Sequence, residues 1–393
     1  MERTMQMRKR ALAALLALAL LSAATGAAAD GWTVDDGLED AALSPDPRAQ
    51  ARMLLQRMDR REKIYQLFIV TPEALTGEER TSQLQDSAAF SRYPVGGVLF
   101  FGQNIVSESQ FSALIQALRD SAAKAGAYPP FLAVDEEGGN VSRVANKLGY
   151  PLPASPEALG EAGVAAQAQA VGTEIAAYLK ALGLNLDFAP VADVLVENDS
   201  EVKGRSYGAE PQRVSALSAA MAQGLRAGGV IPCYKHFPGH GATAQSAHAG
   251  KAASSRALSQ MLACELIPFQ AGIDAGIEMI MISHMTARGL DASAPASLSR
   301  AVITTLLREE MGYDGVVITD ALRMEAITER CRAGEAAVSA LLAGADILLL
   351  PEDLGLAAQG IETALLSGRL TEARLNESVE RILALKIQAG MIQ

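Results

Sequence analysis

The stretch Gly315-Val-Val-Ile-Thr-Asp320 is a run of mainly β-branched residues that ends in a carboxylate. A short apolar run without polar alternation is typical of a strand buried on both faces, as in a parallel sheet. Longer amphipathic stretches separate it from seven similar runs. These are Gln66–Val70, Gly96–Phe101, Phe131–Asp135, Leu184–Pro190, Val230–His236, Glu278–His284 and Asp346–Leu350. Eight strands that alternate with helices predict an α/β fold, a closed (β/α)8 TIM barrel, formed as a single domain by residues 49–393.

The segments between these runs predict the helices of the barrel. They are Ser107–Lys124, Pro156–Leu182, Pro211–Ala227, Ser259–Ala275, Ser299–Met311 and Glu335–Ala343, with a terminal pair within Leu354–Met391. Glycines 183, 228, 276, 312 and 344 follow helices, where a left-handed residue is favoured. The alternative is an open doubly wound sheet, which is disfavoured because no early G-x-G-x-x-G opens a helix.

The first 29 residues predict a secretory signal peptide. A basic segment, Arg8-Lys9-Arg10, precedes the apolar run Ala11–Leu21, and Ala27-Ala28-Ala29 offers a cleavage site before Asp30. The apolar run is too short for a membrane span. We therefore expect export to the periplasm or the exterior, with no stable membrane anchor after cleavage. Residues 30–48, acidic and weakly periodic, predict a flexible acidic tether.

The charge balance narrows the class of partner. The chain carries a formal net charge of −11, and the predicted signal peptide contributes mostly basic residues. Nucleic-acid-binding proteins usually present a basic face, so no nucleic-acid partner is expected. A small neutral substrate such as a sugar is compatible with this charge. Three cysteines, Cys233, Cys264 and Cys331, are too few for a disulfide framework, and buried thiols are favoured over a single bridge.

Reactive side chains fall repeatedly at the ends of the predicted strands. Asp135, Asp193, Lys235-His236, His284 and Asp320 each end or follow one strand. In a barrel these positions share the carboxyl-terminal rim, where active sites of this architecture lie. One such Asp alone could simply cap the next helix. The whole set predicts a catalytic rim.

Two chemistries fit such a rim. His236-x-x-x-His240 has the spacing of a metal-binding pair, but Pro238 and Gly239 lie between, and the first strand offers no histidine pair. We therefore expect no metal and no cofactor. Acid–base cleavage of a glycoside fits better, with Asp320 as a fixed carboxylate and a loop histidine as proton donor.

The motifs then make a family resemblance specific. The chain resembles the single-domain β-N-acetylglucosaminidase branch of the family 3 glycoside hydrolases over nearly its whole mature length. The matching segments are Glu62-Lys-Ile-Tyr-Gln-Leu-Phe68, Tyr93-Pro-Val-Gly-Gly-Val-Leu99, Asp135-Glu-Glu-Gly-Gly139, Phe188-Ala-Pro-Val-Ala-Asp193, Arg205-Ser-Tyr-Gly208, Lys235-His-Phe-Pro-Gly-His-Gly241, Pro295-Ala-Ser-Leu-Ser299, Gly315-Val-Val-Ile-Thr-Asp320 and Leu348-Leu-Leu-Pro351.

The resemblance implies a retaining hydrolase that releases terminal β-linked N-acetylglucosamine or N-acetylhexosamine, with peptidoglycan-derived fragments as expected substrates. It implies Asp320 as nucleophile and His248 as acid/base. It further implies a set of side chains that bind the non-reducing sugar, namely Asp135, Arg143, Arg205, Lys235 and His236. Relatives that act on glucosides usually add a second domain with a glutamate acid/base. Because this chain ends at residue 393, we expect the N-acetylglucosaminidase branch.

One position departs from the branch. Its loop usually reads Asp-Ser-His, where this chain reads Ser246-Ala247-His248. A carboxylate would orient the imidazole and stabilise its charge, and Ser246 supplies no charge. A degenerate carbohydrate-binding barrel and an enzyme with altered chemistry, such as transglycosylation, therefore stay open. We expect the remaining polar residues to be structural or supporting: Asp187, Asp193, His240, His284 and Glu325.

Overall fold

The computed structural model describes residues 46–85, 88–244 and 252–392. Within these ranges, eight parallel strands form one sheet, in which each strand neighbours the next along the chain and the eighth pairs with the first. The strands are β1 Phe68–Val70, β2 Gly97–Leu99, β3 Phe131–Val134, β4 Leu186–Asp187, β5 Ile231–Phe237, β6 Met279–Ile282, β7 Val316–Thr319 and β8 Leu348–Leu349. A parallel bridge between Ile318 and Ile347 joins β7 to the β8 segment. The predicted eight-stranded α/β barrel is confirmed.

Helices surround this sheet. They are α1 Pro47–Leu55, α2 Arg60–Gln66, α3 Pro72–Thr76, α4 Ala89–Arg92, α5 Glu108–Lys124, α6 Arg143–Leu148, α7 Pro156–Ala162, α8 Ala165–Leu182, α9 Pro211–Ala227, α10 Leu258–Leu262, α11 Leu266–Asp274, α12 Ala301–Glu310, α13 Glu325–Thr328, α14 Ala333–Ala343, α15 Leu354–Leu366 and α16 Glu372–Gln388. Of these, α12 has the wider winding of a π-helix. Of the described helices, none is long and apolar enough to cross a membrane.

Three sequence predictions need correction. The segment Pro156–Leu182 is two helices, because Gly163 adopts a φ of +67° and closes α7. Ser259–Ala275 likewise divides into α10 and α11. After α9 the left-handed residue is Gly229, with a φ of +77°, while Gly228 has a φ of −85°. The other four predicted glycines have positive φ.

The start of the barrel also differs from the prediction. α1 begins at Pro47, inside the predicted tether, and Asp46 caps it by accepting a hydrogen bond from the Arg48 amide at 3.0 Å. The Arg48 guanidinium donates to the Asp314 carbonyl at 2.7 Å, which fastens α1 to the body of the protein. The predicted signal peptide and residues 30–45 of the tether lie outside the described residues.

The core lies inside the barrel and between the strands and the helices. All eight strands are buried along their whole length. Helices α8 and α9 pack against each other with Gly172 facing Gly224, and a Cβ on either would overlap the backbone of the other helix. The cysteines are free thiols, with Cys233 buried and the other two partly exposed. This packing holds the strand ends, and the side chains they carry, in fixed positions.

Candidate active site

The carboxyl ends of the strands surround a cavity of about 520 Å³. Its wall includes Asp320 and all the residues expected to bind the non-reducing sugar: Asp135, Arg143, Arg205, Lys235 and His236. A cavity of this size is typical of a site for a small ligand. The structure therefore brings together every described residue of the predicted site. His248 and Ser246 lie outside the described residues.

A buried lysine organises one side of the cavity. Lys235, on β5, places its Nζ 2.8 Å from Asp135 Oδ1 and 2.7 Å from Glu137 Oε1. Arg205 donates to both oxygens of Glu137, at 2.7 and 2.6 Å. Burial opposes ionisation of Glu137, but Lys235 and Arg205 outweigh it and lower the pKa of this carboxyl to about 2. Asp135 and Glu137 in turn raise the pKa of Lys235 against the effect of its own burial. Glu137, Lys235 and Arg205 thus form a buried ionic network, and Asp135 contacts it through Lys235.

Glu137 was not predicted as a site residue. It lies in the two-stranded hairpin formed by Glu136–Gly138 and Val141–Ser142, which follows β3. Alternate residues of a strand point to opposite sides, so Glu137 shares the cavity side with Asp135. Glu136 points away and accepts hydrogen bonds from the Val144 and Ala145 amides at the start of α6, at 2.8 and 3.0 Å. The alternation in Asp135-Glu-Glu was the signal that could have identified Glu137.

A second carboxylate, Asp193, fixes His236 at the end of β5 and His240 in the loop that follows. Its Oδ2 accepts from His236 Nδ1 at 2.7 Å and from the His236 amide at 3.1 Å, and its Oδ1 accepts from the His240 amide at 2.6 Å. Burial would raise the pKa of Asp193, but the contacts with His236 and His240 lower it overall. A carboxylate on Nδ1 leaves the Nε2 edge of the His236 ring for the cavity that this residue lines.

Asp320 follows β7 directly and lies at the wall of the cavity. Its amide donates to the Ile282 carbonyl of β6 at 2.9 Å, and its Oδ1 accepts from the Ala321 amide at 2.7 Å. Burial acts to raise the pKa of Asp320, yet His284, His236, the Ala321 amide and Lys235 together lower it. The result is an ionised, rigidly placed carboxylate, as a nucleophile requires.

Arg143 begins α6 and lines the same cavity. Its Nε is buried and has no hydrogen-bond partner among the described residues. A buried guanidinium nitrogen without a partner is costly unless a ligand or water completes it. Arg143 is thus equipped to donate to a ligand oxygen.

The two remaining described histidines differ in position. His284 is held on both ring nitrogens, 2.7 Å from Ser297 Oγ and 2.9 Å from the Ala321 carbonyl, which supports the turn after Asp320. His240 contacts Ser283 Oγ through Nδ1 at 3.0 Å, yet it also lines the cavity. Its Nε2 lies 2.5 Å from Glu201 Oε1, a cavity residue that was not predicted. Glu201 lies in the long loop after β4, where no periodic pattern marks it.

Over residues 46–85, 88–244 and 252–392, no group of three or more His, Cys, Asp and Glu side chains is arranged to hold a metal ion. The expectation of metal-independent chemistry remains a prediction for experiment.

Comparison with known proteins identifies the family. The model of the glycosyl hydrolase family 3 N-terminal domain matches residues 60–385. The β-hexosaminidase LpqI of Mycobacterium tuberculosis is 34% identical over 392 residues, which cover 96% of this chain and 97% of that protein. A β-hexosaminidase of Chromobacterium violaceum is 36% identical over 286 residues, 70% of this chain and 75% of that protein.

Solved structures agree with this result. A family 3 β-N-acetylglucosaminidase from Paenibacillus sp. str. FPU-7 superposes with a TM-score of 0.80 at 34% identity, over 85% of this chain and 63% of that chain. The structure of M. tuberculosis LpqI gives a TM-score of 0.75 at 32% identity, over 87% of this chain and 96% of that chain. The resemblance seen in the sequence is confirmed, and the chain belongs to glycosyl hydrolase family 3.

Proposed function

We propose that this glycoside hydrolase is a β-N-acetylhexosaminidase that releases terminal β-linked N-acetylglucosamine. One observation carries the proposal: the Asp320 carboxylate lies in a cavity whose wall also holds Asp135, Arg143, Arg205, Lys235 and His236. Carboxylates, guanidinium groups and an ammonium group are good partners for sugar hydroxyls and an amide. The names of the β-hexosaminidase relatives support the same activity.

In the proposed retaining mechanism, Asp320 attacks the anomeric carbon and forms a covalent glycosyl-enzyme. The lowered pKa of Asp320 keeps it ionised for this step. His248 donates a proton to the leaving oxygen and then accepts one from the water that hydrolyses the intermediate. His284 supports this step indirectly, because it fixes the backbone turn that carries Asp320.

We further propose that the natural substrate is a peptidoglycan-derived fragment and that the mature chain acts after export as a single barrel domain. The volume of the cavity, about 520 Å³, suits a small saccharide.

A second candidate rests on Ser246. The Asp-Ser-His pattern of the branch is replaced by Ser246-Ala247-His248, so His248 lacks its usual carboxylate neighbour in sequence. In this alternative the chain is a sugar-binding barrel with little turnover, because an unoriented imidazole is a poor proton donor.

Hydrolysis of an alkyl β-N-acetylglucosaminide separates the two candidates, since an unactivated leaving group needs a competent proton donor. The proposal predicts turnover by the wild type, with the product released first as the β-anomer in an NMR time course. It predicts a loss of at least about 1000-fold in Asp320→Asn, because the nucleophile is removed. Binding of N-acetylglucosamine without turnover by the wild type would instead establish the sugar-binding alternative.

A further inference from the structure

The cavity has a closed end and an open end. Carboxylates hold the basic side chains at the closed end, whereas the basic side chain at the open end has no ion-pair partner among the described residues. Lys235 and His236 at the closed end are only 2% and 8% exposed and are held by carboxylates. Arg323 also lines the cavity but is exposed, which places it at the mouth. If the non-reducing sugar occupies the closed end beside Asp320, as in the proposed function, the aglycone projects toward the mouth.

The Arg323 side chain lies against an aromatic ring. Its guanidinium carbon is 5.4 Å from the centre of the Phe101 ring, a residue that lines the same cavity after β2. A ring that covers one face of a guanidinium orients the group and leaves its N–H edges open. Within the described part of the chain, Arg323 makes no ion pair with any acidic residue. The N–H edges are therefore available for a ligand.

The backbone of Arg323 is fixed relative to the nucleophile. The Leu322 and Arg323 amides donate to the Leu349 and Leu350 carbonyls at 2.8 and 3.0 Å. Leu350 adopts a φ of +44°, a strained conformation for a leucine, and it also lines the cavity. Strain of this kind is usually retained at functional sites. The turn from Asp320 to Arg323 is thus a rigid connection between the reacting carboxylate and the mouth.

We propose that Arg323, stacked on Phe101, forms an aglycone subsite that selects substrates with a carboxylate on the leaving sugar. A carboxylate can bridge the two N–H groups of one guanidinium edge, which a neutral hydroxyl cannot match. Glu325 also lines the mouth and carries the opposite charge. The negative charge of Glu325 weakens the attraction between Arg323 and an acidic substrate. Removal of that charge therefore strengthens the preference for acidic substrates. This subsite deepens the proposed function, because it names the class of aglycone.

The test compares two disaccharides that differ in one charge. One is N-acetylglucosaminyl-β-1,4-N-acetylmuramic acid, and the other is its methyl amide at the lactyl carboxyl. The wild type is expected to show a higher kcat/KM for the acid. Arg323→Gln should lower the ratio of acid to amide by about tenfold, the effect of losing a hydrogen bond to a charged group. Arg323→Lys should retain part of the preference, and Glu325→Gln should raise it.

The matched control is Arg332→Gln, which removes an exposed positive charge that does not line the cavity. It should leave the ratio unchanged. A wild-type ratio of one or below overturns the proposal even if Arg323→Gln does not fold, as does a ratio that Arg323→Gln leaves unchanged.

A disaccharide whose lactyl group carries a dipeptide places its carboxylate further out. A preference for it over the acid, lost in Arg323→Gln, would overturn recognition of the sugar carboxylate and assign the peptide carboxylate instead.

Failure of the proposed function would look different. In that case the wild type would hydrolyse neither disaccharide nor an aryl β-N-acetylglucosaminide. The subsite is then tested by calorimetric binding of the two disaccharides to Asp320→Asn and to Asp320→Asn/Arg323→Gln. Tighter binding of the acid that depends on Arg323 supports the subsite, and equal binding overturns it.

Discussion

Glu137 Oε1 accepts a hydrogen bond from Lys235 Nζ at 2.7 Å, and each side chain is 2% exposed or less. Neither charge could be buried alone at acceptable cost, because desolvation of an unpaired ion amounts to several kcal/mol. The pair places the Lys235 ammonium in the cavity wall with its second carboxylate, Asp135, on the exposed side. The same glutamate holds Arg205, so one residue positions two of the predicted sugar-binding cations.

Glu137→Gln should therefore damage both stability and substrate binding. It keeps the shape of the side chain but leaves Lys235 and Arg205 with one fewer buried negative charge. Breaking such a pair costs about 3–5 kcal/mol, which thermal unfolding would register as a lower Tm. In kinetics with an aryl β-N-acetylglucosaminide, KM should rise at least about tenfold.

Glu335→Gln is the control for this change. Glu335 pairs with Arg369 on the surface, and both side chains are nearly half exposed, at 46% and 47%. Exposed pairs contribute at most about 1 kcal/mol, so its Tm and KM should stay close to those of the wild type. Equal effects of the two substitutions would show that Glu137 has no special role.

The buried amine of Lys386 should make the stability of the protein depend on pH. Lys386 is fully buried at the other end of the barrel from the cavity, where its Nζ contacts Gln66 Oε1 at 2.8 Å and lies 4.9 Å from the centre of the Phe131 ring. Burial lowers the pKa of Lys386 from 10.5 to about 7. Between these two values the unfolded chain binds more protons than the folded one. The free energy of unfolding should therefore rise with pH across this window, with the full burial penalty present below it.

Lys386→Met removes the titrating group, so the gain in stability between pH 7 and pH 10 should be smaller in this variant than in the wild type. Denaturant unfolding at several pH values measures the difference. Lys180→Met, at an exposed lysine of α8, should keep the wild-type slope. If Lys386→Met and the wild type gave parallel curves, the folded-state pKa of Lys386 would not lie within this range.

Metal removal tests the predicted chemistry from another direction. A carboxylate nucleophile and a histidine acid need no Lewis acid, so hydrolysis of an aryl β-N-acetylglucosaminide should be unchanged after prolonged treatment with EDTA. Activity that disappears on treatment and returns with added Zn²⁺ would contradict the acid–base account.

Much of the architecture was predictable from the sequence because its signals are local. Each barrel strand is buried on both faces, so runs such as Gly315–Asp320 stand out. Every predicted strand overlaps an observed one, and only β5 extends past its predicted end, by one residue to Phe237. Strand ends then predicted the rim, and Asp320, Lys235 and His236 all lie at the cavity. The breaks within predicted helices were missed, because an amphipathic pattern continues across the turn at Gly163.

The site was less predictable where its contacts are formed by distant segments. Glu137 contacts Arg205 and Lys235, which lie 68 and about 100 positions away along the chain. No local sequence pattern indicates contacts of this kind. Glu201 reaches His240 from a loop without periodicity. His240 was expected to be structural and does contact Ser283, but it lines the cavity as well. Tertiary packing, and not the spacing of residues along the chain, decides these positions.

The central claim is that Asp320 is the nucleophile, and a trapped intermediate tests it most directly. A 5-fluoro-N-acetylglucosaminyl fluoride should form the glycosyl-enzyme quickly and release it slowly. The fluorine at C5 destabilises the transition states of both steps, but the fluoride leaving group offsets this effect only in the first step. Mass spectrometry of the intact protein and its peptides should then find one added fluorosugar, attached at Asp320 in the peptide that contains Gly315–Asp320, and no label in Asp320→Asn. A label on any other residue, or turnover of the substrate by Asp320→Asn at the wild-type rate, would contradict the account.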